Sequence, residues 1–154
     1  MIAGRIITDV LTHFAPRRIE WLFASIVFCL GFKLLRPEDT FASAPTTYRI
    51  LSSLAPEPVW GWILFVVGGA RLAALTLNGT WRPFAPFSPL TRAVTGFFTT
   101  GIWMALSFGI YFGNSAGTGG VTYFVMFVFD AFVATEIGVE AGRALRGRRH
   151  GRVP

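Results

Sequence analysis

The sequence predicts an all-α integral membrane protein: a four-transmembrane-helix antiparallel bundle with an amphipathic N-terminal helix, one membrane domain over residues 1–154. Three observations predict it. The chain is 53% hydrophobic and only 14% charged, against about 25% charged in soluble chains. Mostly apolar stretches recur at about 19–35, 59–77, 91–113 and 121–141, each near the ~20 residues a helix needs to cross a bilayer. The basic residues gather in segments that would flank those stretches on one side.

Residues 1–15 place Ile2, Ile6, Val10 and Phe14 at every fourth position, with Ile7 and Leu11 beside them and Arg5, Asp9 and His13 opposite. Such a helix is too short and too charged to span and is expected in the headgroup plane, ended by Pro16. A signal peptide is the rival reading, because Ala42-Ser43-Ala44 resembles a cleavage site. Lys33, Arg36, Glu38 and Asp39 intervene, whereas a signal peptide's apolar core runs close to its cleavage site.

The first span opens on Trp21, a belt position, and Lys33 can snorkel from its far end. In the loop 36–58, residues 46–54 suit a short interfacial helix with Tyr48 and Ile50 towards lipid. The second span opens on Trp60 and Trp62, contains Arg71, and ends at the turn signal Asn78-Gly79. Pro83, Pro86 and Pro89, interleaved with Phe84 and Phe87, suit an extended, polyproline-like segment that hugs the interface. In the third span Gly101, Ala105, Gly109 and Gly113 recur every fourth residue, a spacing that lets another helix approach closely. The fourth span repeats the pattern with Asp130, Ala134, Gly138 and Gly142. Residues 143–154 form a basic tail. Counting Arg71 to its nearer end, eleven basic residues fall on the side of both termini and three on the other. That asymmetry predicts a multi-pass protein of a bacterial inner membrane with both termini cytoplasmic.

The intramembrane charges are the candidate site. A carboxylate at mid-bilayer costs about 2.5–3.5 kcal/mol, so Asp130 needs a partner, a wet cavity or a proton. Helix rise puts Arg71 roughly 9–11 Å from the cytoplasmic end of its span, Glu136 at about that depth and Asp130 about two turns deeper. A pair or triad of Arg71 with Glu136 and/or Asp130 is expected; the alternative is that Arg71 and Glu136 snorkel to headgroups, as expected for Glu140. Asp130 is read either as part of a structural clamp or as a residue of an ion path. The small residues Gly101, Ala105, Gly109, Gly113, Ala134 and Gly138 are the expected packing seam.

Other chemistry is not visible. The lone Cys29 forms no internal disulfide and reads as a buried small hydrophobe. His13 and His150 lie near opposite termini, without metal-ligand spacing, and no nucleophile or phosphate-loop motif occurs. No cofactor, metal or enzymatic activity is expected. The net charge of +6 is accounted for by topology and anionic lipid rather than by nucleic acid. The expected partners are membrane lipids and a second copy or another membrane protein.

The wording of residues 39–51 (DTFASAPTTYRIL), 56–62 (PEPVWGW) and 70–83 (ARLAALTLNGTWRP) resembles a group of small four-span membrane proteins of tailed phages and prophages of proteobacteria. The resemblance is strongest over the middle third. It implies a holin-like role, permeabilising the inner membrane by lateral association, and supplies no functional residues. Four spans and aromatic richness depart from the commonest holin plans. A weaker likeness, through residues 31–35 with Pro37 and 67–75, is to DoxX-like four-helix membrane proteins and implies a redox-linked role. A non-lytic scaffold or accessory subunit is the other functional class the sequence admits.

Overall fold

The computed structural model describes the backbone of residues 2–80, 88–113 and 118–150, and the side chains of 17–77, 88–113, 118–143, 145 and 146. Six helices make up the described fold: α1 Ile2–Leu34, α2 Thr40–Ser43, α3 Pro45–Leu54, α4 Glu57–Thr80, α5 Ser88–Phe112 and α6 Gly119–His150. No strand occurs among the described residues. The core of the predicted proline-rich segment, 81–87, lies outside the described residues, as do 114–117 and 151–154.

Helices α1, α4, α5 and α6 form an antiparallel bundle. The broadest pairings are α5 with α6 and α1 with α4, and α4 against α5 joins the two pairs. The α1–α4 pair is close because glycines face backbone reciprocally. A Cβ on Gly31 would stand 2.3 Å from the Phe65 nitrogen, and one on Gly68 would stand 2.5 Å from the Phe28 nitrogen. The main core runs from Phe23, Val27 and Leu34 through Trp60 and Leu64 to Trp103 and Leu106. A smaller cluster, Ala93, Val133, Ile137 and Ala141, lies between α5 and α6.

Helices α2 and α3 cover one end of the bundle. Asp39 caps α2 by accepting from the Ala42 N–H. Glu57, in the first turn of α4, reaches back to the start of α2 and accepts from the Thr40 and Phe41 N–H groups at 2.9 and 2.7 Å. Trp60 donates its indole N–H to the Leu51 carbonyl at 2.8 Å. Trp60 is therefore a buried anchor, while Trp62 is exposed.

The predicted short helix at 46–54 exists as part of α3, but its orientation differs from expectation. Tyr48 is buried and stacks on Phe41, with ring centroids 4.7 Å apart. Burial, followed by the nearby Tyr123 and Glu57, pushes the Tyr48 hydroxyl up to about 12. The phenol is thus held neutral more firmly in the fold than in the unfolded chain. Stability from this source is complete below the ordinary tyrosine value and is lost as pH rises from about 10 to about 12, on the order of 2 kcal/mol in all. Thermal unfolding followed across that window is expected to show the loss, and Tyr48→Phe is expected to flatten it.

Two boundaries differ from the sequence reading, and the break expected at Pro16 is present: two helical stretches meet within α1 at a kink at Arg17 (φ −121°, ψ 18°), directly after Pro16. The missing N–H and ring clash of proline account for it. Asn78-Gly79 is not a turn, since α4 runs to Thr80, and the basic segment after 142 stays helical to His150. Cys29 is exposed, on the outer face of α1 with Leu22 and Phe32.

Two helices, Glu57–Leu77 and Ser88–Phe112, are long and apolar enough to cross a membrane. The other long helices carry more charge in their apolar stretches: Glu20 and Lys33 in α1, and Asp130, Glu136 and Glu140 in α6. Large apolar side chains nevertheless face outward on all four, including Leu22, Val66, Phe97, Phe124 and Phe132. Several charges face inward.

Candidate functional site: a charged interior and a mouth cleft

Two ion pairs sit inside the bundle. In the first, Arg71 of α4 and Asp130 of α6 are both 0% exposed, and Arg71 Nη1 donates to Asp130 Oδ1 at 2.9 Å. Thr99 of α5 completes the group. Its hydroxyl accepts from Arg71 Nη1 at 3.1 Å and donates to Asp130 Oδ2. Three helices are thereby tied at one level by charge-assisted bonds. Gly96 makes room for the guanidinium: a Cβ there would meet the Ala134 Cβ at 3.2 Å and Arg71 Nη2 at 3.7 Å. Arg71 Nε and Nη2 have no hydrogen-bond partner among the described residues.

The second pair joins α1 to α5. Arg92 grips Glu20 with two parallel bonds, Nε to Oε2 at 2.8 Å and Nη2 to Oε1 at 2.7 Å. Arg92 stands seven residues before Thr99, two turns along the same face, so the two pairs are stacked roughly 10 Å apart. Glu140 of α6 adds a weaker layer, 3.4 Å from both Arg17 and Arg92 Nη2. Arg92 Nη1 lacks a partner among the described residues.

Beside the second pair a cleft of about 470 Å³ opens between α1, α5 and α6, walled by Arg17, Arg18, Glu20, Arg92, Glu136 and Glu140. Its volume falls in the range of about 300–1,000 Å³ usual for small-ligand sites.

The structure thus brings Arg71 and Asp130 together and leaves Glu136 out. Of the expected pair or triad the structure forms the pair: Glu136 is exposed and lines the cleft. Six residues along a helix is 600°, so Glu136 points about 120° away from Asp130. Glu140, expected only to reach headgroups, instead touches two arginines.

The predicted seam also divides. Each four-residue step overshoots a helical turn by about 40°, so Gly101 and Gly113 do not share a face. Gly101 is exposed, and an added Cβ there meets nothing within 4 Å among the described residues; Ala105 rests against the main core. Gly109 and Gly113 seat the start of α3, with Thr46 and Thr47 against them. Ala134 packs on Gly96, and Gly138 on the Phe97 ring. These contacts are within one chain.

Glu20 and Arg92 are the site residues that sequence reasoning missed. Each sits at the start of an apolar run, where a charge reads as a headgroup neighbour. The one available signal was that Glu20 lies four residues before Ala24 and seven before Val27, on the inward face of α1. No family profile, curated protein or solved structure matches this chain.

Proposed function

We propose that this chain is a four-span integral membrane protein, with α1 from about residue 19, α4, α5 and α6 as spans and both termini on one side, acting as a non-lytic accessory or scaffold subunit. The observation that carries the reading is the inverted distribution of side chains. Both buried ion pairs are formed within one chain, while the outer faces of all four long helices carry exposed aliphatic and aromatic residues. Soluble chains keep charges outside. In a bilayer, charges face the bundle interior and pair there. An aqueous pore between subunits needs an outer polar face, and Asp130 is turned inward against Arg71. The partner is a second copy or another membrane protein, and the open notch at Gly101 is the seam position left for it.

A holin-like permeabiliser is the second reading. It is favoured by the incomplete bonding of Arg71, whose clamp on Asp130 is held through one nitrogen and is therefore a closure that can be released. Induction of the chain in a bacterial host, with membrane potential followed by dye fluorescence, separates the two. Steady potential at high membrane expression is expected for the accessory subunit. Abrupt, delayed collapse, with lysis when an endolysin is supplied, would establish the permeabiliser instead. In that case Asp130→Asn should alter the timing more than Glu140→Gln.

A further inference from the structure

We propose that the cleft between α1, α5 and α6 binds the headgroup of a phospholipid bearing both a phosphodiester and a primary ammonium, a phosphoethanolamine lipid. The inference rests on the membrane reading above.

The argument begins with the charges left over. Of the six ionic side chains in the cleft wall, Glu20 is taken by Arg92, and Glu140 lies against Arg17 and Arg92. Arg18 and Glu136 form no ion pair among the described residues, and both are exposed. Arg92 is 1% exposed and keeps Nη1 without a partner. One cation, one anion and one buried guanidinium donor therefore remain. A lone phosphate would meet the Arg18 cation but also the Glu136 carboxylate. A zwitterion satisfies both, its phosphate taken by Arg18 and the Arg92 N–H, its ammonium by Glu136. A quaternary ammonium has no N–H to give Glu136, and a glycerol headgroup has no charge to give it.

A second observation favours a lipid over a free phosphoethanolamine. An apolar groove of about 480 Å³ adjoins the cleft on the outer face of α1, lined by Ile19, Trp21, Leu22 and Ser25. It shares Arg18 and Ile19 with the cleft. The two hollows together present a charged seat that continues into an apolar track, as a headgroup and the first part of an acyl chain require.

The test is native mass spectrometry of the full chain, released from micelles containing phosphatidylethanolamine, phosphatidylglycerol and phosphatidylcholine of matched acyl chains. One phosphatidylethanolamine is expected to be retained, preferred by about five-fold over the others, the size of one partly exposed ion pair. Glu136→Gln, an exposed substitution that leaves both buried pairs intact, is expected to abolish the preference while leaving total lipid binding in place. Arg18→Ala is expected to weaken all three lipids. Soluble glycerophosphoethanolamine is expected to compete poorly; full displacement by it would assign the site to the free headgroup and overturn the lipid. Equal retention of the three lipids, or a preference that survives Glu136→Gln, would overturn the headgroup site. Carbonate extraction of the expressing membranes separates the two levels. Release of the chain would overturn the membrane reading together with the site. Retention of the chain with equal lipid binding would overturn the site alone.

Discussion

Asp130→Ala is expected to destabilise the bundle by about 3–5 kcal/mol, because it strands the Arg71 guanidinium in an interior where nothing else neutralises it. Arg71 and Asp130 are both fully buried, and two of Arg71's nitrogens already have no partner among the described residues. Removing the carboxylate leaves the Thr99 hydroxyl as the one remaining acceptor in contact with Nη1. The reverse substitution, Arg71→Leu, strands the carboxylate instead, with the Thr99 hydroxyl as its remaining donor, and a loss of the same order is expected. The double variant Arg71→Leu/Asp130→Leu carries the sharpest expectation. Replacing a whole buried pair by apolar side chains is often neutral or stabilising, so the double variant should recover most of what Asp130→Ala loses. Thermal unfolding in mild detergent, read by tryptophan fluorescence, measures all three. A double variant as unstable as Asp130→Ala would show that the ion pair is required for the packing itself.

Gly31→Ala and Gly68→Ala are expected to have the next largest effect. A Cβ at Gly31 would lie 2.3 Å from the Phe65 nitrogen and 2.7 Å from its Cα; one at Gly68 would lie 2.5 and 2.7 Å from the same atoms of Phe28. The obstacles are backbone, which no rotamer change removes. Helices α1 and α4 must separate along their whole contact, and overpacking of this kind costs about 1–3 kcal/mol or more. The two sites face each other across one interface, so their effects should not add: once one alanine has forced the helices apart, the second meets less resistance. Gly101→Ala is the control. Nothing lies within 4 Å of its added methyl, and alanine favours the helix by about 1 kcal/mol over glycine. A loss at Gly101 comparable to that at Gly31 would mean that Gly101 is covered by another chain, the contact expected of a scaffold or an oligomer.

Taken alone, the sequence determined that the chain is helical, where the apolar part of each long helix begins to within a few residues, and that Arg71 and Asp130 stand in apolar surroundings where a charge needs a partner. Those are local properties. Apolar run length and the cost of an isolated charge can be read without knowing which helices touch. What touches what was decided by tertiary structure. Glu20 and Arg92 are ordinary span-end charges until α1 and α5 come together, at which point they form the best-bonded pair among the described residues. Glu136 matched Arg71 in depth, but a helix sets direction as well as depth, and 600° of rotation from Asp130 turned it to the cleft. The four-residue repeat of small residues on α5 is a true feature of the sequence, yet 3.6 residues per turn spread it over about 120° of the helix surface. Packing used its far end to seat α3 and left Gly101 open. Pro16 and Asn78-Gly79 are breakers in local terms. The first acts as one, since the helix kinks beside it at Arg17; at the second α4 runs on to Thr80, the local preference against glycine in a helix being worth only about 1 kcal/mol.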